Sequence, residues 1–380
     1  MQVKFFKKSL INNAYEEPLK DAVKELIRGE SLLVNGKFTS EFENNFANFI
    51  GVKYCSFVSN GIDALSIALQ TLNLKEGDEI IIPNHTYIAS WLAALNLGLK
   101  VIAAPVKSNN LLIDEKKIKS LITNKTKCIM PVHLYGNSSN MPKINEIANK
   151  YGLNVIDDAA QAHGSIIKNR KIGSYGNLTC FSFYPTKNLG ALGEAGCITT
   201  NNKNEYEKIN AIRNYGKSNN NKSINIFQGS NYRGDELQAA FLIQKLKNIN
   251  SIIKNRMNSL KIYEKELKLV PKNKLRLIDY DVKSSPHLAV IKLTDKKTRD
   301  ELKTFLKKRG IETLIHYPIP CHKQPFLNGI QFSISKEVAN QAENISSTIL
   351  SLPLSEVHTK DELNYVANSI NNFIDIKLHK

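Results

Sequence analysis

Between residues 60 and 200 short apolar runs alternate with amphipathic stretches. Ala64-Leu65, Ala68-Leu69 and Leu72 recur at helical spacing behind Gly61, which predicts a helix opening on a glycine turn. Glu79–Pro83 and Val101–Pro105 read as buried strands, Ile113–Ile122 as a helix and Lys127–Leu134 as a strand. Pro142–Tyr151 reads as a helix closed by Gly152, and Leu153–Ile156 as a strand that runs into two aspartates. Thr179–Phe183 and Cys197–Thr200 are further strands. Such alternation predicts an α/β fold with a mostly parallel central sheet flanked by helices.

The pattern changes at residues 216–230, GKSNNNKSINIFQGS, a polar, Asn-rich stretch that reads as a functional or intersubunit loop. Asp235–Ile249 returns to a strong amphipathic helix. A smaller α/β C-terminal domain follows. Leu288–Leu293 and Ile311–His316 read as strands, Thr298-x-x-Glu301 as a capping box whose helix ends at Gly310, and Thr359-x-x-Glu362 as the start of a last helix. The expected division is a large domain over 1–250 and a small one over 251–380.

Composition narrows the class. The 380 residues carry 52 Lys and Arg against 35 Asp and Glu, a formal charge of +17, with 42% hydrophobic residues. The excess is mostly Lys spread along the whole chain, and no nucleic-acid-binding motif accompanies it, so nucleic acid is not an expected partner. It suits an anionic small molecule. No run of about 18 apolar residues is present, so no membrane span is expected. The first 20 residues lack an apolar stretch and a cleavage site, so no signal peptide is expected. Five cysteines without a CxxC pair support neither a metal site nor a disulfide framework, and reduced thiols in a cytoplasmic protein are expected.

Three segments carry candidate chemistry. In Phe181–Gly190, FSFYPTKNLG, Lys187 follows an apolar strand and precedes a glycine-rich run through Gly196. A lysine among apolar groups can lose its proton and serve as a Schiff-base nucleophile, whereas an ordinary strand-end lysine stays solvated and inert. In Val155–Gly164, VIDDAAQAHG, Asp157 and Asp158 end a strand and point to opposite faces, so at most one faces a given pocket. Such a carboxylate could hold a pyridinium nitrogen protonated, or both could cap the next turn. In Ser59–Leu65, SNGIDAL, small and polar residues before a helix expose backbone N–H groups suited to a phosphate. Together they make the three parts of a pyridoxal phosphate (PLP) site.

Seven motifs then carry a family resemblance: SNGIDAL at 59–65, IIPNHTYIAS at 81–90, VIDDAAQAHGS at 155–165, FSFYPTKNLGALGEAG at 181–196, NYRGDELQAA at 231–240, HYPIPCH at 316–322 and SLPLSEVHT at 351–359. In this order, and over almost the whole chain, they resemble the DegT/DnrJ/EryC1/StrS sugar aminotransferases, PLP enzymes of fold type I. The resemblance implies that Lys187 bonds the cofactor and shuttles protons, that Asp158 meets the pyridine nitrogen, that Gln161 contacts the phenolic oxygen and that Tyr87 stacks on the ring. It places the phosphate at the Gly61 and Ile62 amides and the Ser182 hydroxyl, with Asn231 of a second subunit reaching it across a homodimer. Trp91 reads as packing. Ile62 stands where relatives often have threonine, and Glu194 departs from their GDGG pattern, which leaves its role open. Dehydratase relatives have histidine at the Lys187 position, so this chain favours transamination.

The implied reaction moves an amino group from L-glutamate to a nucleotide-linked keto-sugar, with the cofactor passing through its pyridoxamine 5'-phosphate form. The HYPIPCH run resembles members acting on dTDP-linked 3-keto-6-deoxyhexoses, and Tyr184, His316 and His322 are the candidate sugar-pocket residues. A 4-keto sugar nucleotide, a different PLP chemistry, and a non-catalytic PLP-fold binding protein are the alternatives.

Overall fold

The structure, a computed structural model, describes residues 1–218, 221 and 223–378. Residues 219, 220 and 222 of the expected loop lie outside them.

Seven strands form the bulk of the large sheet: β1 (Tyr54–Val58), β2 (Glu79–Pro83), β3 (Lys100–Ala104), β4 (Thr126–Ile129), β5 (Asn154–Asp158), β6 (Leu178–Ser182) and β7 (Gly196–Thr200). Later in the chain come β8 (Leu275–Leu277), β9 (Ala289–Leu293), β10 (Phe332–Ser333) and β11 (Ile349–Leu352). The large sheet runs β1-β7-β6-β5-β4-β2-β3-β10, and β8-β9-β11 make a small antiparallel sheet. In the large sheet only β7 runs against its neighbours. The parallel strands therefore end along one edge, where open α/β sheets bind ligands.

Both faces of that sheet are covered, which is why its strands are apolar on both sides. Ile81 packs with an aromatic cluster of Phe42, Phe46, Phe57, Phe181 and Phe183. Its neighbours Ile80 and Ile82 pack on the other face with Leu65, Leu69 and Trp91. The period-2 geometry of a strand sorts Asp157 from Asp158 in the same way. A third core joins β8, β9 and β11 to the helices Ile249–Glu266, Lys296–Lys308 and Lys360–Leu378.

The two sheets are interlocked. β10 comes from the C-terminal part yet pairs with β3. Val3 bonds to Gly310 and Glu312, so the N-terminus runs beside the small sheet. Both contacts cross the expected division at residue 250.

Several local expectations change. Lys127–Leu134 is a strand only to Ile129, and the chain then loops through Val132 into a turn where Tyr135 takes φ 61°. Ile311–His316 makes only single bridges, to Val3 and Ser351, because no strand lies along its full length. The Thr298 capping box does not form. Asp295 caps that helix by accepting from Thr298 N at 2.8 Å, and Glu301 pairs with Lys377 instead. At the last helix the box is present, with Thr359 N donating to Glu362 Oε2 at 2.8 Å and Glu362 N to Thr359 Oγ1 at 3.2 Å. Asp235–Ile249 is split, with one helix over Glu236–Leu246 and another from Ile249.

Phe46 is fully buried and meets Phe42, Phe49, Phe181 and Phe183. Phe46→Ala is expected to destabilise the fold by about 3–5 kcal/mol, read as a lower denaturant midpoint at unchanged slope.

Candidate active site

Five strand ends bring the site together. Behind β1, Asn60 caps the helix Gly61–Thr71. Its Oδ1 accepts from Asp63 N at 2.9 Å, while its amide and the Ser59 hydroxyl both bond to the Asp63 carboxylate. The cap satisfies Asp63 N, and the N–H groups of Gly61 and Ile62 donate to no acceptor among the described residues. A Cβ on Gly61 would lie 2.6 Å from Ser182 Cβ, so only glycine lets this helix start abut the end of β6. Two free amides and a hydroxyl at a helix N-terminus are an oxyanion cradle.

β5 and β6 supply the charged pair. Asp158 is 6% exposed, and its register partner is Cys180. Its Oδ2 accepts from Ser90 Oγ at 2.7 Å and its Oδ1 from Ala160 N at 3.1 Å. The carboxylate thus both closes its own turn and faces the cavity. Asp157 points to the other face, where Thr179 Oγ1 donates to it at 3.2 Å and its Oδ1 has no partner. Past β6, Lys187 sits half-buried in a turn fixed by Lys187 N to Tyr184 O at 2.8 Å and Ala191 N to Phe183 O at 2.7 Å. Removal from water lowers the Lys187 amine to about 8, and the negative charge of Asp158 opposes part of that shift.

Gln161 is held by its own network. Its Oε1 accepts from Tyr135 N at 2.7 Å, so its amide group points away and donates to Tyr317 Oη at 2.9 Å. The second amide proton is left for the cavity. Tyr135 donates its hydroxyl to His316 O, so the His85 Nε2–H donates to Tyr135 Oη, 2.8 Å away. This chain of bonds ties four segments together: the loops after β2, β4 and β5, and the 316–317 segment.

The cavity so formed has a volume of about 550 Å³. Gly61, Ile62, Tyr87, Asp158, Gln161, Ser182, Tyr184, Lys187 and His316 all line it. Tyr87 and Tyr184 are largely exposed at its mouth, and Glu194 joins them on the wall. His316 is lowered to about 4, first by burial and then by the Lys187 charge, so it is neutral at pH 7. Two expected residues lie elsewhere. His322 is packed behind the cavity, with Nδ1 3.0 Å from Asn84 Nδ2 and Nε2 3.2 Å from Glu343 Oε1. Asn231 is exposed, bridged to Asn214, and not on the wall of its own chain's cavity. Trp91 is fully buried, donates to Pro83 O at 3.2 Å and packs on Phe332.

Sequence reading missed Ser90, Thr186, His287 and Tyr317. Ser90 and Tyr317 lie inside quoted motifs, but their roles depend on partners 68 and 156 residues away. His287 lies in no motif.

The site fits PLP. Free amides and the Ser182 hydroxyl suit a phosphate, the buried Asp158 carboxylate suits a protonated ring nitrogen, and the Gln161 amide suits a phenolic oxygen. Lys187, with its lowered amine, suits a Schiff base. Among the described residues no cluster of three metal-ligating side chains occurs, and no helix is long and apolar enough to cross a membrane.

In the apo-protein Lys187 should react with trinitrobenzenesulfonate with a midpoint near pH 8, read by peptide mass mapping. Removing the opposing charge in Asp158→Asn should move that midpoint lower. A midpoint near the ordinary lysine value would contradict the described burial.

The sequence profile of the DegT/DnrJ/EryC1/StrS aminotransferase family matches residues 13–371. A dTDP-3-amino-3,6-dideoxy-alpha-D-galactopyranose transaminase from Aneurinibacillus thermoaerophilus is 39% identical over 96% of this chain and 97% of its own. A dTDP-3-amino-3,4,6-trideoxy-alpha-D-glucose transaminase from Streptomyces venezuelae is 36% identical over 82% of this chain and 81% of its own. Among solved structures, S. venezuelae DesV in complex with a ketimine intermediate superposes with a TM-score of 0.92 at 32% identity, covering 98% of both chains. NtdA of Bacillus subtilis with bound cofactor PMP superposes at 0.89 and 30% identity, over 98% of this chain and 85% of that one. The chain belongs to the DegT/DnrJ/EryC1/StrS aminotransferase family, with the PLP-dependent aminotransferase fold.

Proposed function

We propose that this enzyme transfers the amino group of L-glutamate to a dTDP-linked 3-keto-6-deoxyhexose, giving a dTDP-3-amino-3,6-dideoxyhexose and 2-oxoglutarate. The observation that carries the reading is the half-buried Lys187 amine, lowered to about 8, in one cavity with the buried Asp158 carboxylate and the Gly61–Ile62 amides. The 39% identity to the A. thermoaerophilus transaminase supports the choice of sugar class.

Bound in this cavity, PLP supplies an electron-withdrawing ring that holds the electrons released at the donor's α-carbon. The Gly61 and Ile62 N–H groups and the Ser182 hydroxyl bind the phosphate. Asp158 keeps the ring nitrogen protonated, and Ser90 and Ala160 N hold that carboxylate in place. Gln161 bonds the phenolic oxygen, in an orientation that Tyr135 N fixes. Tyr87 covers the ring from the mouth. The Lys187 amine, in its neutral form, would accept the α-proton of the donor and, once protonated, return it to the cofactor carbon on the far side of the transferred nitrogen; an amine near pKa 8 can do both at neutral pH. Tyr184 and His316 face the sugar, and neutral His316 offers it a hydrogen bond without a charge.

Asn231, exposed and away from its own cavity, reaches the phosphate in a second copy of the chain, so the working unit is a homodimer with shared sites. His322 supports Asn84 and Glu343 rather than touching the sugar.

The test supplies L-glutamate and a panel of 3-keto and 4-keto sugar nucleotides, with products identified by mass spectrometry and NMR. Amination at C3 is the expected result. Amination at C4 alone would overturn the sugar assignment, and no amine on any acceptor would overturn the transaminase reading. Lys187→Ala should lower turnover at least about 10²-fold while circular dichroism stays native.

A further inference from the structure

Beside the catalytic cavity lies a second pocket of about 630 Å³. The two share Thr186, His287 and His316, so the second pocket opens onto the Lys187 turn from the small-domain side. Its outer wall is the N-terminal segment, held beside residues 310–312 by Val3 N to Gly310 O at 2.9 Å and Glu312 N to Val3 O at 2.9 Å. Phe5 and Phe6 line that wall, and Phe5 stacks on His316 with ring centres 5.8 Å apart.

The charges around it do not balance. Lys303 and Lys307 project from one helix at i,i+4, where like charges cost stability. Neither side chain has an acidic partner among the described residues. The negative end of the helix Lys296–Lys308 accounts for Lys307, but Lys303 lies a turn too early. The acid on the lining, Glu312, accepts from Phe5 N at 2.9 Å. Arg256 is held by Glu356 at 2.9 Å. At the throat, His287 is 6% exposed, and its Nδ1 is buried without a partner. An unpaired cation pair at the mouth and an unpaired buried imidazole at the throat suit an anionic molecule reaching toward Lys187.

We infer that this second pocket is an anion subsite that takes a phosphate or carboxylate group of a reactant on Lys303 and Lys307. The inference rests on the proposed reaction for its two sources of such a group: the diphosphate of the sugar nucleotide and the carboxylates of the amino donor.

The test uses the PLP-loaded enzyme as wild type, as Lys303→Met/Lys307→Met and as Lys303→Arg/Lys307→Arg. Calorimetric titration with inorganic pyrophosphate and with 2-oxoglutarate should show a Kd raised about tenfold in the Met variant and restored in the Arg variant. The wild-type Kd should weaken with added salt, and the Met variant's much less. The half-reactions then separate the sources. A raised KM for L-glutamate assigns the subsite to the donor, and a raised KM for the keto-sugar nucleotide assigns it to the diphosphate. Equal Kd values for both probes in all three proteins would overturn the subsite. Because the titrations do not depend on turnover, an enzyme that fails the transaminase assay but shows the Kd pattern would sink the reaction and keep the subsite.

Discussion

Holding an amine and a carboxylate in one partly dry cavity is the constraint on which the rest of this structure depends. A lone buried charge costs several kcal/mol, and a pair survives burial only when each member has further partners. Asp158 has them in Ser90 and Ala160 N. For Lys187, removal from water lowers the amine to about 8, and the Asp158 charge offsets part of that shift. A more exposed lysine would stay charged and inert. A fully enclosed one with no carboxylate nearby would drop further, beyond use as an acid at neutral pH.

The fold supplies that balance through the sheet edge. Parallel strands end together, so loops far apart in sequence meet within one cavity. The turn holding Lys187 rests on the aromatic face of the sheet, where Phe181 and Phe183 are fully buried. The opposite face carries the helix that begins at Gly61 and the one that holds Ser90. Neutral imidazoles surround the amine: burial first, then the Lys187 charge, lowers His163 to about 3 and His316 to about 4. Neutral rings keep further positive charge away from the pair.

Much of this was legible in the chain. Alternating apolar runs marked the strands β2 to β7 but not β1 (Tyr54–Val58), and the motifs placed Lys187, Asp158, Gln161 and Gly61 on one cavity wall. What escaped were interactions with no local signal. The antiparallel run of β7 depends on its pairing with β1 and β6, and nothing within five residues encodes it. Phe332–Ser333 is too short to read as a strand, yet it extends the large sheet. Asp295 displaced Thr298 as the helix cap because the helix starts three residues earlier: its carboxylate accepts from Thr298 N, and Thr298 is already inside the first turn. His322 carries the motif of a site residue but faces Asn84 and Glu343, a direction set by the packing of Cys321 against Thr86.

The most direct test of the account is the absorption spectrum of the purified protein after loading with PLP, followed during addition of L-glutamate. A long-wavelength band from cofactor bonded to Lys187 is expected, lost as glutamate donates its amino group and regained when 2-oxoglutarate is added. A protein that takes up no PLP, or a band that glutamate leaves unchanged, would contradict it.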